Sequence, residues 1–101
     1  MIIEYARYTV PLAETKAFLS AFDRAQAALA ESDQCLAWEM SRGVEDQTEW
    51  VIRIEWVSLD GHQLAFRSSP HYTAYMKPLR RFNEFQRESR HFKANEVNGR
   101  K

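Results

Sequence analysis

The sequence is poor in the residues that build disulfide-rich, disordered or membrane-spanning chains. Cys35 is the one cysteine among 101 residues, so no internal disulfide can form and a reducing cytoplasm suits the chain. Only 3 glycines and 3 prolines occur, too few for a low-complexity segment. No apolar run approaches the roughly 18 residues of a membrane span, and the N-terminus lacks a basic-then-apolar signal. We therefore expect a cytoplasmic protein without a membrane partner.

An excess of charge of one sign is also absent. Lys and Arg number 14, as do Asp and Glu, so the formal net charge is zero and long-range attraction of a polyanion is not favoured. Hydrophobic residues make up 45% of the chain and charged residues 28%, which is ordinary for a globular domain able to bury a core unaided. We expect one domain over residues 1–94 and a flexible tail over residues 95–101.

Alternation and helical spacing predict an α+β chain of four strands and three helices. The predicted strands are Ile2–Val10, Cys35–Arg42, Glu49–Ser58 and Phe85–Phe92, and the predicted helices are Ala13–Glu31, Leu59–Phe66 and His71–Arg80. The charge density of the last strand is also typical of a helix, but a fourth strand completes the sheet better. The order β-α-β-β-α-α-β is that of a ferredoxin-like split β-α-β fold with an extra short helix.

The third strand has two different faces, and both are expected to contact protein. Strict alternation places an aromatic and aliphatic set on one face (Trp50, Ile52, Ile54, Trp56) and a mixed set on the other (Val51, Arg53, Glu55, Val57). Helices would cover the first face. A second copy of the chain would cover the other, with Arg53 paired to Glu39 or Glu55, because an unpaired buried charge is very costly. We therefore expect a homodimer.

Two short runs carry a family resemblance. The run EWVS at 55–58, followed by FRSSPHY at 66–72, resembles the antibiotic biosynthesis monooxygenase family of dimeric α+β barrels. The run IEW at 54–56, taken with His62, Phe66-Arg67 and Pro70, is similar to the small domain of this family that is sometimes joined to truncated haemoglobins. The resemblance implies a ferredoxin-like homodimer, and the predicted order of elements agrees over nearly the whole chain.

The resemblance also implies a reaction class. Members of the family include cofactor-free oxygenases of aromatic polyketides and quinols, in which the deprotonated substrate itself reduces dioxygen, and haem-degrading enzymes. We expect a cofactor-independent monooxygenase that acts on a small aromatic or quinol-type compound, with no cofactor. Such an enzyme needs a dry aromatic pocket, a hydrogen bond to the substrate oxygen and a base. The alternative is a non-catalytic module of the same fold for small-ligand binding or dimerisation, including a partner of a haem protein.

The residues at the family's catalytic positions differ in this chain. Haem-degrading members use an Asn on the first strand and a His on the helix after the Ser turn, and the matching positions hold Ala6 and Met76. Neither side chain can act as the polar group that it replaces, which argues against haem degradation. Members that oxidise polyketides carry an Asn before the Trp on the same strand face. That position is Ile52 here, so Trp56 alone is retained.

Three residues are the expected catalytic group on this resemblance. Trp56 would orient the substrate through its indole N–H, and His71 or Tyr72 would transfer the proton. The alternative for Trp56 is a core residue whose N–H bonds the backbone. The alternative for His71 is a solvent-facing helix cap.

Four further residues are expected to bind the substrate. Trp38, Phe22 and Tyr8 would supply aromatic walls, and Arg67 would hold an anionic oxygen. Aromatic residues at strand and helix spacing are also simply core.

No metal site and no nucleic-acid partner are expected. His62, His71 and His91 are the only histidines, and none forms a metal-spaced pair in the sequence. An RNA-recognition domain shares the order of elements but exposes aromatic rings on its open sheet face. Here the rings of the third strand point the other way, toward the helices.

Overall fold

The computed structural model describes residues 1–101 as one four-stranded antiparallel sheet with helices on one side. The strands are β1 (Ile2–Thr9), β2 (Cys35–Arg42), β3 (Glu49–Trp56) and β4 (Gln86–Lys93), and the α-helices are α1 (Thr15–Glu31) and α2 (Pro70–Leu79). A π-helical segment covers Gly61–Phe66, and 3₁₀ segments cover Leu12–Glu14 and Arg80–Phe85. The strand order β2-β3-β1-β4 places β1 and β3 in the centre, as in a ferredoxin-like fold. The predicted fold class is confirmed.

The predicted elements all occur, with local differences. β2 has the predicted bounds, and the ambiguous C-terminal region forms β4, which pairs with the free edge of β1. Backbone pairing along that edge outweighs the charge density that is also typical of a helix. The predicted helix Leu59–Phe66 becomes π-helical from Gly61 onward. No helix is long and apolar enough to cross a membrane.

The core lies between the sheet and the two α-helices. The predicted inward face of β3 is almost fully buried, and its members are Trp50, Ile52, Ile54 and Trp56. Helical spacing along α1 places Phe18, Phe22, Ala25 and Leu29 on one side of the helix, and these residues cover that face. Each large side chain buried in this way contributes about 1.5–3 kcal/mol to folding.

A β-bulge changes the start of β2. Alternation along the strand predicts Leu36 on the same face as Trp38, but the register shifts between Cys35 and Ala37, and Leu36 is 53% exposed. Cys35 takes the inward position, opposite Trp56 on β3. The inward prediction for Leu36 is therefore wrong, because a bulge places two residues opposite one and so displaces one side chain.

The other face of the sheet carries no helix. Arg53 donates to Glu55 through Nη1 and Oε2 at 2.6 Å, which is one of the two predicted pairings. Beside this pair lies an open depression of about 600 Å³, lined by Ile3, Tyr5, Arg7, Val51, Glu88 and Phe92. We call this surface the open face.

The chain beyond β4 has no helix or strand. The last pairing of the sheet joins Lys93 to Ile2, and the N–H of Ala94 donates to the carbonyl of Met1 at 3.3 Å. Flexibility of residues 95–101 stays a prediction.

Candidate functional site

A cavity of about 290 Å³ lies between the sheet, the π-helical segment and α2. Its lining is mostly aromatic and apolar with a few polar groups: Glu4, Ala6, Tyr8, Trp56, His62, Phe66, Arg67, Tyr72, Tyr75, Met76, Gln86 and Ser89. The volume is close to the lower end, about 300 Å³, of pockets that hold small molecules. The cavity therefore suits a small ring compound.

Glu4 is the charged group at the centre of this lining. Its side chain points inward from β1, and the residue is only 8% exposed. Trp56 Nε1 donates to its Oε1 at 3.0 Å, and Ser89 Oγ donates to its Oε2 at 2.9 Å. Burying a carboxylate without such donors costs a large amount of free energy. Each of the two Glu4 oxygens accepts a hydrogen bond from one of these donors.

Strand register brings these partners together. Glu4 lies opposite His91 on β4, and Ala6 lies opposite Ser89, so all four side chains share the inward face. Ile2, two residues before Glu4, lies opposite Trp56 at the end of β3, which places the indole diagonally across from the carboxylate. The central position of β1 thus allows one residue to contact both neighbouring strands.

His62 is the second polar group buried at the site. Its ring stacks on Trp56, with centroids 4.3 Å apart and an interplanar angle of 14°. Its Nε2 lies 3.5 Å from Glu4 Oε1, and its Nδ1 lies 2.7 Å from His91 Nε2. Burial lowers the pKa of His62 below its ordinary 6.5, the Glu4 charge opposes this, and His91 and Arg67 lower it further. The ring is therefore neutral at pH 7, with one nitrogen as donor and the other as acceptor.

The π-helical segment positions His62. Its first residue, Gly61, donates its N–H to Ser58 Oγ at 2.8 Å, and the His62 N–H donates to the Ser58 carbonyl at 3.2 Å. A Cβ on Gly61 would lie 2.6 Å from Gln34 Oε1 and 3.0 Å from Val57 Cγ2, so glycine suits this close approach. Short π-helical turns are frequently found at functional sites.

Two phenols supply neutral donors to the cavity. Burial, with a smaller contribution from the Glu4 charge, raises the pKa of Tyr8 to about 12. Burial also raises the pKa of Tyr75 well above 10, with Tyr8 and Glu4 adding to the effect. Both hydroxyls stay protonated at neutral pH, and neither bonds another group of the chain, so each can donate to a ligand oxygen.

A comparison with protein families identifies the fold's relatives. The family described as antibiotic biosynthesis monooxygenase matches residues 1–78, from the start of β1 almost to the end of α2. The chain belongs to the antibiotic biosynthesis monooxygenase family. No curated protein matches the sequence.

Solved structures agree with this assignment. A protein of the family from Bordetella bronchiseptica is 20% identical with a TM-score of 0.81, over 93% of this chain and 96% of that one. SnoaB from Streptomyces nogalater, a cofactor-independent oxygenase, is 20% identical with a TM-score of 0.76, over 95% of this chain and 94% of that one. A third, from Deinococcus radiodurans, is 16% identical with a TM-score of 0.77, over 100% and 99%. At these identities the likeness shows a shared fold.

Four of the seven residues expected from the sequence to form the site line the cavity: Trp56, Tyr72, Arg67 and Tyr8. The Trp56 N–H does not bond the backbone. It donates to the Glu4 carboxylate instead. Ala6 and Met76, which the family resemblance matches to polar positions of haem-degrading members, also line the cavity.

The other three expected residues lie elsewhere. The imidazole of His71 is 3.9 Å from Glu31 Oε2 at the end of α1 and does not line the cavity. Phe22 and Trp38 line a separate depression between α1 and β2, where Trp38 Nε1 donates to Gln26 Oε1 at 2.9 Å. The fold thus divides the expected residues among three places.

Sequence reasoning missed the polar partners of Trp56. Glu4, His62, Ser89 and His91 were not expected at the site. One signal was available for Glu4, since it is the only charge on the inward side of a strand whose other inward residues are apolar or aromatic. Ser89 and His91 could be found only from the register between β1 and β4.

The same residues contain a potential metal-ligand set. Ligand atoms of Glu4, His62 and His91 lie within 4.8 Å of one another, and two imidazoles with a carboxylate are a known set for iron and zinc. The two imidazole nitrogens are 2.7 Å apart while the ring centroids are 4.9 Å apart, a difference of about two ring radii. The nitrogens therefore point at each other, as in a hydrogen bond, rather than toward a common ion.

Proposed function

We propose that this protein is a cofactor-independent monooxygenase that acts on a small aromatic or quinol-type compound bound in the cavity. The observation that carries the proposal is the buried Glu4 carboxylate, held by two donors at the wall of a mostly aromatic cavity. Family membership supports the reaction class. The description of SnoaB as a cofactor-independent oxygenase supports the absence of a cofactor.

Glu4 is the proposed base. An ionised carboxylate only accepts hydrogen bonds, and aromatic walls exclude the water that would otherwise stabilise its charge. The substrate loses a proton to Glu4, and the resulting electron-rich anion reduces dioxygen. One oxygen atom enters the substrate and the other leaves as water with two hydrogens of the substrate, which is the only reductant. Trp56 and Ser89 hold the carboxylate in place.

The substrate oxygen is held by other polar groups of the lining. Tyr8 and Tyr75 supply neutral O–H donors, Arg67 supplies positive charge, and Tyr72 adds a wall that packs edge-on against Phe66 at 5.9 Å. Donors already in place where negative charge develops stabilise an anion without reorganising. His71 lies outside the cavity, so we assign it no proton-transfer role.

The dimeric state belongs to the same proposal. The open face combines an apolar depression with the Arg53–Glu55 ion pair, whose side chains are only 28% and 23% exposed in a single chain. A second copy related by a twofold axis would cover the depression with the same surface. We infer a homodimer with the two sheets face to face.

Oxygen uptake tests the reaction. Wild-type protein is screened with quinols and polyphenols in an oxygen electrode, and we expect turnover well above autoxidation for at least one compound. Glu4→Gln should lower kcat at least about 100-fold, since general-base catalysis typically contributes 10²–10⁴. The matched control is Glu45→Gln, an exposed carboxylate in the β2–β3 connection. Turnover no faster than autoxidation, or full activity in Glu4→Gln, would reject the proposal.

A second candidate is the non-catalytic ligand-binding module. It is favoured by Ala6, Ile52 and Met76, which are apolar where characterised branches of the family carry polar groups. Calorimetric binding of the same compounds without oxygen uptake would select this candidate. Partnership with a haem protein stays a prediction.

A further inference from the structure

We propose that His62 and His91 form a path that carries the substrate's proton from Glu4 to solvent. This inference rests on the proposed oxygenase function and adds to it a route by which the base is regenerated. Neither histidine has a counterpart among the residues expected to act at the site.

Three side chains form a continuous line of polar atoms. Glu4 Oε1 lies 3.5 Å from His62 Nε2, and His62 Nδ1 lies 2.7 Å from His91 Nε2. His62 Nδ1 therefore hydrogen-bonds the second imidazole, while His62 Nε2 faces the carboxylate at a distance that must shorten by a few tenths of an ångström for direct proton transfer. Neutral imidazole accepts a proton at one nitrogen while it donates one from the other, which is what a relay requires.

The line runs from the buried site toward the surface. Glu4 and His62 are 8% and 6% exposed and both line the cavity. His91 is half-buried on the edge strand β4 and does not line the cavity. A proton that reaches His91 has therefore left the substrate compartment.

The transfer balances without storing charge. Protonated Glu4 gives its proton to His62 Nε2, His62 gives its Nδ1 proton to His91 Nε2, and His91 releases its Nδ1 proton to water. Glu4 is then ionised again and both imidazoles are neutral, each in its other tautomer. The water formed from dioxygen takes up one proton from solvent in exchange for the one released. Exchange of the imidazole protons with water restores the starting tautomers before the next turnover.

The charges that face His62 disfavour a proton that stays on its ring and so favour its transfer to His91. Arg67 and a protonated His91 both disfavour a charge on His62, and burial acts in the same direction. Glu4 is the single group that opposes them, and it faces His62 from β1. The stacked Trp56 is uncharged and keeps the ring in line.

The first experiment examines the pair in the absence of substrate. Nitrogen-15 NMR of the imidazoles across pH 4.5–8.5 should show His62 and His91 titrating as a coupled pair. His91→Gln should shift the His62 titration and should leave the signals of His71, which lies outside the cavity, unchanged. Independent titration of His62 and His91 would overturn the relay.

The second experiment uses a compound that the wild-type protein turns over. His91→Gln keeps hydrogen-bonding capacity but cannot pass a proton, so kcat should fall at least about 10-fold in dilute buffer, with a changed pH profile and an unchanged KM. Free imidazole should restore most of the turnover of His91→Ala. The control is Lys93→Gln, an exposed residue on the same strand.

The outcomes distinguish a failure of the relay from a failure of the proposed oxygenase function. Wild-type turnover with full activity in His91→Gln rejects the relay alone. Turnover that a chelator abolishes and a divalent metal restores also rejects it, in favour of a metal site. If the wild-type protein turns over no compound, the oxygenase proposal fails and the relay fails with it.

Discussion

Glu4 is the single residue that most strongly supports the cavity as the proposed functional site. Replacing a buried charge and its partners with apolar groups of similar volume is often neutral or stabilising. A carboxylate with two donors on the inward face of a central strand is therefore poorly explained by stability. Local rules of folding are typically broken at functional positions. Glu4, the one charged residue on the inward face of β1, is thus also the proposed base.

Cys35 is the residue whose environment gives the most direct solution test. Burial raises the pKa of its thiol to about 11, a hydrogen bond with the backbone of Ala37 opposes this, and the charges of Glu4 and Glu55 add to the rise. Because the pKa rises from 9.0 to about 11, the thiolate fraction at neutral pH falls about 100-fold.

We expect alkylation of Cys35 by iodoacetamide at pH 7.5 to be at least about 100-fold slower than in the urea-unfolded chain. The rate should rise with pH up to about 11, where the thiol ionises. The unfolded chain is the control, because its thiol is accessible and unperturbed. A native rate close to the unfolded rate would show that the β-bulge does not hold Cys35 inward.

The sequence predicts the elements of this fold well and the local irregularities poorly. Most of the 15 buried residues of the core lie on the faces that alternation and helical spacing favour, while Phe82 lies outside the predicted elements. The bulge at Cys35–Ala37 and the π-helical turn at Gly61–Phe66 were not predicted. Apolar residues recur at nearly the same spacing in α and π turns, and a bulge shifts one residue within an otherwise regular strand.

The hairpin between β2 and β3 is an element whose glycine can be tested. A Cβ on Gly43 would lie 2.3 Å from the backbone oxygen of Asp46 and 3.2 Å from Glu49 Cβ. That oxygen accepts the N–H of Glu49 at 3.1 Å, so it cannot move without disturbing the turn.

Gly43→Ala should lower the free energy of unfolding by about 1–3 kcal/mol, the usual effect of forcing atoms into occupied space. The measurement is the urea midpoint followed by tryptophan fluorescence. Gly99→Ala is the matched control, since nothing lies within 4 Å of its added Cβ. Equal midpoints for the two variants would show that the hairpin adjusts freely.

The site was only partly predictable because half of it depends on register between strands. The family resemblance pointed to Trp56, Arg67 and Tyr72, which lie in the runs that carry it. Tyr8 could be expected as an aromatic residue of the first strand. His91 reaches Glu4 across 87 residues of chain, and only the pairing of β1 with β4 brings the two together. Single-sequence patterns give the face of a strand but not its register with a distant strand.

At the scale of the whole molecule, the two sides of the sheet serve different purposes. The helix side holds the core and the cavity, while the open face leaves Phe92 48% exposed beside Tyr5. Exposed apolar surface of this kind around a paired charge is typical of an interface between subunits. The proposed dimer therefore leaves the cavity of each copy accessible from its own helix side.

Val51 lines the depression of the open face and provides the test of that dimer. We expect the wild-type protein to sediment as a dimer at micromolar concentration. Val51→Asp should sediment as a monomer, because each copy would bring a carboxylate into the apolar depression that its partner covers. Val97→Asp is the matched control, since Val97 is 91% exposed beyond β4, and it should remain dimeric. A monomeric wild-type protein, or a Val51→Asp variant that still sediments as a dimer, would show that the open face does not form the interface.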